Sequence, residues 1–352
     1  MKSHVLITGA GGYIGSTLVP ILLGDGYRVK AIDTFWFGHH FLPDHPQLNC
    51  LTIDTRDMQA DVMQDIDVVI DLAALSNDPC GEAFAAATWQ INHLARVRTA
   101  TLAKQAGVRQ YILASSCSVY GYHDEPRSET STSNPLTTYA KANLAAETDT
   151  LAMATENFHV TALRLSTLFG VSPRMRLDLV VNSMCYSAWR HGEITINGGG
   201  SQRRPLLHVA DLADCFACLL GIPSNQLNGN IINVGASNMN VTIDDIATGI
   251  AREFLELLSR RINLRHCGPQ DLRSYQVDFS KISSLTAWHP QRTWKQEILP
   301  IIHFLEKCHP EDLRKCHTLD WYRSGHLEQH INKNVASDAD PVLTDNKFRH
   351  SR

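Results

Sequence analysis

The sequence predicts an α/β chain built on a doubly wound parallel sheet, with a smaller C-terminal α/β lobe. Two observations predict it. Over the first 165 residues, short apolar runs alternate with amphipathic stretches of helical length, a pattern that calls for a parallel sheet covered on both faces. A glycine-rich turn, Thr8-Gly9-Ala10-Gly11-Gly12-Tyr13-Ile14-Gly15, joins the first apolar run to the first helical one. The strands are expected at 4–8, 28–32, 50–53, 67–72, 111–115 and 159–165. The helices between them are expected at about 13–24, 57–64, 83–106 and 138–156. Sheets of this kind bind ligands beyond the carboxyl ends of their strands, where the strand order reverses.

The first such end is the glycine turn. Gly9, Gly12 and Gly15 allow a tight bend, the close approach of a pyrophosphate and tight helix packing, with Tyr13 and Ile14 completing the loop. A diphosphate there would rest on the first free N–H groups of the helix, at the positive end of its dipole. The second strand ends in Asp33. An acid at that place can hold both ribose hydroxyls and repels a 2′-phosphate, which favours NAD over NADP, although Asp33 also reads as an ordinary strand-end turn residue. Asp54 and Thr55 follow the third strand, and Leu72-Ala73-Ala74 follow the fourth. Both groups are placed to border an adenosine and its diphosphate, the small residues letting backbone approach the cofactor.

Bulk properties narrow the partners. The 352 residues carry a net charge of −4 with no long basic run, which argues against nucleic acid. No apolar stretch reaches membrane-spanning length, and the chain enters its first strand without a signal-like segment. The nine cysteines are scattered without paired metal-ligand spacing, which points to reduced thiols in a cytoplasm and to no metal site. Cys215 and Cys218 read as helix packing, and the histidine pair His39-His40 as a surface loop.

From about residue 166 the pattern loosens. Loops at 172–176, 198–200 and 203–205 separate short elements, 231–235 reads as one more strand, and 242–260 as a helix beginning near Thr242 with acids in its first turn. The expected organisation is a dinucleotide-binding domain over 1–165, its sheet completed by about 205–237. A substrate lobe takes 166–204 and 238–308, and a C-terminal extension takes 309–352, with 325–352 loosely held.

Two residues carry candidate chemistry. Ser116 stands at the carboxyl end of the strand 111–115, and Tyr139 at the head of an Ala-rich helix, YAKANLAAE. A serine there can hydrogen-bond a substrate oxygen while the tyrosine shuttles its proton. A polar strand end and a helix-start aromatic explain the same two residues without chemistry.

Taken together, the sequence resembles the extended short-chain dehydrogenase/reductase family, the NAD-dependent nucleotide-sugar epimerases, dehydratases and ketoreductases. The resemblance covers about residues 3–308. It rests on TGAGGYIG at 8–15, Asp33, Asp54, DLAA at 71–74, Asn92, SSCSVYG at 115–121, Tyr139 and RRPLLHVADLAD at 203–214. It implies a Rossmann sheet holding NAD and a smaller lobe holding a nucleotide-diphosphate sugar. It also implies roles: Ser116 binds the reacting oxygen, Tyr139 is the acid/base, and Asn92 belongs to the cofactor site. Ser118 and Ser166 fall to the substrate pocket, while Asn182, Arg204 and Arg273 meet the sugar nucleotide. Relatives pair through the two long helices, so a homodimer is expected.

The sequence departs from the family at position 143. The family's tyrosine is followed four residues later by a lysine that lowers the tyrosine pKa and binds the nicotinamide ribose; here that place is Asn143. Lys141 cannot stand in, because two residues put side chains on nearly opposite helix faces. Asn143 retains the means to bond a ribose but carries no charge. Free tyrosine titrates near 10, so only about one molecule in a thousand is phenolate at pH 7. The leading expectation is a C4 epimerase working through transient hydride transfer to NAD. A 4-ketoreductase and a catalytically weak NAD- or nucleotide-sugar-binding protein are the alternatives. Dehydration is disfavoured, because the places of the dehydratases' Asp-Glu pair hold Cys117 and Ser118. Many relatives carry asparagine where this chain has Ser166.

Overall fold

The computed structural model of the chain describes residues 2–268, 274–325 and 327–333. Seven strands form one parallel sheet: β1 (His4–Thr8), β2 (Arg28–Asp33), β3 (Leu48–Thr52), β4 (Val68–Asp71), β5 (Gln110–Ser116), β6 (His159–Leu165) and the later strand Asn230–Val234. From one edge their order is Asn230–Val234, β6, β5, β4, β1, β2, β3, so the winding reverses between β1 and β4. Strands β1, β4, β5 and β6 are buried on both faces, as helical crossovers require, while the edge strand β3 is largely exposed. Alternate residues of each strand serve opposite cores: Val5, Ile7, Ile70 and Ile112 face one, and Leu6, Val69, Tyr111 and Leu113 the other.

Register places the ligand edge. Thr8 lies opposite Ile32 on one side and Asp71 on the other, so three strands finish level and their loops open together. A three-residue strand β7 (Thr167–Phe169) then leads to the second lobe. There β8 (Glu193–Asn197) pairs with a parallel strand at Asn263–Cys267, and β9 (Arg203–His208) lies between β7 and Asn240–Thr242. The strand read at 231–235 is β10 (Asn230–Val234), the seventh strand of the main sheet, paired with β6. The helix read at 242–260 is Ile243–Leu258, opened by a capping box between Thr242 and Asp245.

Two expectations about local structure differ. The helix read at 57–64 is a pair of short 3₁₀ turns, because the backbone goes extended at Met58 and Gln59; this brings Met58, Val62 and Met63 into one core. The helix read at 83–106 is a broken run: Ala85–Trp89, a π-turn at Gln90–Leu94, then Ala95–Gln105.

The segment from Thr318 to Lys333 returns to the first lobe. Trp321 donates its indole N–H to the Trp36 carbonyl at 2.9 Å, and Tyr322 is buried among Trp36, Phe37 and Phe84. The Arg56 guanidinium donates to the carbonyls of His330, Ile331 and Lys333 at 2.8 to 3.0 Å. Residues 327–333, read as part of a loosely held tail, are thus tied down. Their anchor is an arginine 275 positions away from Ile331, out of reach of any local pattern. Residues 334–352 lie outside the described residues. Among the described residues no helix is long and apolar enough to cross a membrane, and no cluster of ligand side chains could hold a metal ion. All nine cysteines are free.

Candidate active site

The candidate coenzyme cleft lies at the reversal point. Gly9 has φ +66°, and a Cβ there would stand 2.8 Å from the Ala73 nitrogen, so only glycine lets the turn pass under the β4 loop. A Cβ on Gly15 would meet the Ala10 carbonyl at 2.5 Å, so the first helix packs hard against the turn. The β4 loop is held in turn by Thr8, whose hydroxyl donates to Asp71 at 2.6 Å and accepts from Leu72 and Ala73. Asn92 clamps the same loop through both amide atoms, to the N–H and carbonyl of Leu75 at 2.8 and 2.9 Å. It therefore shapes the wall from behind.

Ten of the residues expected to hold a dinucleotide line this one cleft: Gly9, Gly12, Tyr13, Ile14, Asp33, Asp54, Thr55, Leu72, Ala73 and Ala74. Asp33 accepts the amides of Gly11 at 3.0 Å and Phe35 at 2.7 Å; burial raises its pKa and these bonds oppose the rise. Asp54 is engaged by Arg56 at 2.8 Å and Lys333 at 3.1 Å, which outweigh its burial and hold its carboxyl below the ordinary range. The Tyr13 hydroxyl is buried and donates to the Gly170 carbonyl at 2.6 Å.

The far wall was not legible in the sequence. Arg174 and Arg176, from the loop after β7, face the glycine turn, together with Thr318 and Tyr322 of the returning C-terminal segment. Arg176 forms a two-pronged pair with Asp178, at 2.9 Å for each bond. Arg174 has no such partner. Its guanidinium sits 3.5 Å from the centre of the Phe37 ring, its buried Nε has no hydrogen-bond partner, and burial, reinforced by Arg176, pushes its pKa down to about 10. Its Nη2 donates to the Thr318 hydroxyl at 3.2 Å, so only part of the guanidinium's donor set is used; a glycine cradle facing such a group fits the diphosphate of a dinucleotide.

The second half of the site surrounds Tyr139. Its helix, Thr138–Leu151, is capped by the Thr137 hydroxyl, which accepts the Ala140 amide at 3.2 Å and donates to Asp78 at 2.7 Å. Two turns on, Glu147 is fully buried and accepts from Arg164 of β6 at 2.8 Å and from the Ser115 hydroxyl of β5. These bonds set the tyrosine helix against the strand that ends in Ser116. The Ser116 hydroxyl accepts the Ser118 amide at 3.1 Å and stands beside the Tyr139 phenol. Burial raises the Tyr139 pKa; Arg96 opposes that rise most, followed by Ser116 and Arg176, while Asp78 adds to it.

Asn143 is completely buried. Its amide donates to the Tyr139 carbonyl at 2.8 Å, and its oxygen accepts from Arg96 at 2.7 Å. Arg96 went unnoticed in the sequence, where it looks like a surface charge on a helix.

A smaller pocket next to this corner is lined by Asp78, Ser118, Thr137, Arg204 and Tyr275. The Ser118 hydroxyl is buried there without a partner, and Arg204 lies over the Tyr275 ring. Two other expected substrate contacts sit elsewhere. Asn182 is engaged by the Gly170 amide and the Arg176 carbonyl, and the Ser166 hydroxyl donates to the Val234 carbonyl. Arg273 lies outside the described residues. In the 203–214 segment, Asp211 fastens the backbone of Gln291 and Arg292 at 3.0 and 2.9 Å, a structural task.

Comparison with known proteins agrees with this architecture. UDP-glucuronic acid decarboxylase 1 of Xenopus tropicalis is 25% identical over 317 residues, 87% of this chain and 73% of that protein. A protein of Bacillus subtilis named as an uncharacterized UDP-glucose epimerase, YtcB, is 28% identical over 86% of this chain and 97% of its own. The solved structure of MoeE5 in complex with UDP-glucuronic acid and NAD superposes with a TM-score of 0.77 at 27% identity, covering 86% of this chain and 99% of MoeE5. The profile of the NAD dependent epimerase/dehydratase family matches residues 5–235, and with the sheet order and the glycine turn this places the chain in that family of enzymes.

Proposed function

We propose that this protein is an NAD-dependent UDP-sugar epimerase acting at C4. The observation that carries the reading is the pairing of Tyr139 with Ser116 at the carboxyl edge of the sheet, next to a turn that offers no carboxyl acid. Cys117 is buried, its thiol pushed far up by desolvation and donating to the Arg164 carbonyl, and Ser118 bears only a hydroxyl. Neither can protonate and expel a sugar hydroxyl, so the turn suits reactions that begin and end at one carbinol. In this reading Tyr139 takes the proton of the C4 hydroxyl and returns it after the ketone has turned its other face, while Ser116 holds the oxygen. Bound NAD supplies the acceptor and donor of the hydride. Arg174 and the glycine turn hold the diphosphate of the coenzyme, and Asp33 its adenosine ribose. Ser118 and Arg204 serve the sugar nucleotide, with Arg273 in the same role. The UDP preference is supported by the UDP-sugars named for the relatives.

The C-terminal segment favours epimerisation over ketoreduction. Thr318 and Tyr322 wall the coenzyme cleft, which suits a coenzyme that is kept and regenerated within each turnover. A homodimer through the helices 85–105 and 138–151 belongs to the same proposal, with Trp89 and Leu94 exposed on the first at 39% and 41%; sedimentation at micromolar concentration should show it. So does a cytoplasmic location.

The test uses the protein as purified. UDP-glucose, UDP-glucuronic acid and UDP-N-acetylglucosamine are each incubated with it, without added coenzyme, and the products are resolved by NMR. One of them should give its 4-epimer at equilibrium. Turnover only with stoichiometric NADH would mean ketoreduction, loss of carbon dioxide would mean decarboxylation, and no conversion at all would leave a binding protein.

A further inference from the structure

We propose that Arg96 is the cation of the Tyr139 corner, acting from the neighbouring helix and held in place by Asn143, where the family resemblance leads one to expect a lysine. The inference rests on Tyr139 being the proton carrier of the proposed function.

Geometry is the first support. Arg96 is only 3% exposed, and its Nη1 donates to the Asn143 side-chain oxygen at 2.7 Å. Asn143 in turn donates to the Tyr139 carbonyl at 2.8 Å, one helical turn back. The Arg96 Nε donates to the carbonyl of Ala73, a residue that lines the coenzyme cleft, at 3.1 Å. One guanidinium thus spans the coenzyme wall and the tyrosine helix. Asn143 carries no charge, but its oxygen can accept a hydrogen bond from a cation where a lysine could only donate. A lysine at 143 would oppose Arg96 at this distance.

The second support is the absence of a counterion. Among the described residues both acceptors of Arg96 are neutral, a backbone carbonyl and an amide oxygen. A buried guanidinium without a carboxylate is expensive to keep. With no carboxylate hydrogen-bonded to it, its field falls on the anions nearby: the buried Asp71 carboxylate beside Tyr111 and, when it forms, the phenolate of Tyr139.

The other charged groups around the phenol are fewer in effect. Asp78, from the helix packed against Tyr139, is negative and works against ionisation; Arg176, across the site, helps less than Arg96. Glu82 accepts the Thr138 amide at 2.8 Å, and Lys141 is exposed on the tyrosine helix itself.

The experiment follows the Tyr139 ring by NMR through its titration, alongside the pH profile of kcat. Arg96→Gln keeps hydrogen-bonding capacity but removes the charge. It should move the Tyr139 midpoint to higher pH and lower kcat at neutral pH by about tenfold or more, with coenzyme affinity and KM changed far less. The alkaline-going limb should shift upward with the NMR midpoint, since the base is active only when deprotonated. Arg96→Lys should recover most of the loss, a result that a merely structural arginine would not give. Asn143→Lys alone should lower activity by setting two cations together, and combining it with Arg96→Gln should restore it. An unmoved Tyr139 midpoint in Arg96→Gln overturns the inference, as does a gain of activity in Asn143→Lys with Arg96 kept. Because the NMR midpoint needs no substrate, it reads Arg96 even if no UDP-sugar is converted, and the failure of the epimerase reading stays separate.

Discussion

The coenzyme cleft and the Tyr139 corner share one sheet edge but are assembled in opposite ways. The cleft is made chiefly of backbone: a positive-φ glycine, level strand ends and loops tied by Thr8, Asp71 and Asn92. The corner is made of side chains from four elements, Ser116 on β5, Tyr139 and Asn143 on one helix, Arg96 and Asp78 on others. A backbone wall tolerates few residue types, and only its far side, Arg174, Thr318 and Tyr322, is supplied from distant segments. A side-chain site can exchange its parts, provided charge and hydrogen bonds are supplied from another position. Arg96 and Asn143 are such an exchange.

The sharpest way to break the comparison is at Gly9. Gly9→Val forces a β-branched residue into a left-handed conformation with its Cβ 2.8 Å from the Ala73 nitrogen. Coenzyme binding measured by calorimetry should be lost, whereas the cleft would be more forgiving than described if binding persisted. Next comes the anchor of the corner. Glu147→Ala leaves Arg164 buried without its partner and should destabilise the fold by about 3–5 kcal/mol in urea unfolding. A third variant tests the wall supplied by the C-terminal segment. Tyr322→Ala empties the space between Trp36, Phe37 and Phe84, and coenzyme should dissociate faster in a stopped-flow chase while Ser116 and Tyr139 stay in place. The smallest effect is expected at the cap: Thr137→Ala should cost about 1 kcal/mol of stability.

How much could be read from the sequence follows the same division. The glycine turn, Asp33 and Leu72-Ala73-Ala74 are contiguous with the strands that aim them, so spacing alone located the cleft. The alternating elements announced a doubly wound parallel sheet, and the apolar run at 231–235 was legible as one more strand, while the strand order comes from the structure. Ser116 and Tyr139 were legible as a pair only through the family resemblance, since nothing local says that a strand end and a helix start 23 residues later face each other. Arg96, Arg174 and Tyr322 were not legible. Each is an ordinary residue in its own segment and gains its part from contacts far along the chain, such as those of Arg96 with Ala73, Arg174 with Thr318 and Tyr322 with Trp36. Asn182 shows the converse: it carries a motif-like context, yet its amide closes a loop between Gly170 and Arg176.

The most direct test of the whole account replaces one oxygen. Tyr139→Phe leaves the glycine turn, Asp33 and Arg174 untouched, so the variant should retain coenzyme as the parent protein does. Its conversion of the UDP-sugar that the parent epimerises should fall by about 10²–10⁴-fold, the range for losing a positioned acid/base. A Tyr139→Phe protein that interconverts the two epimers at close to the parent rate would contradict the account.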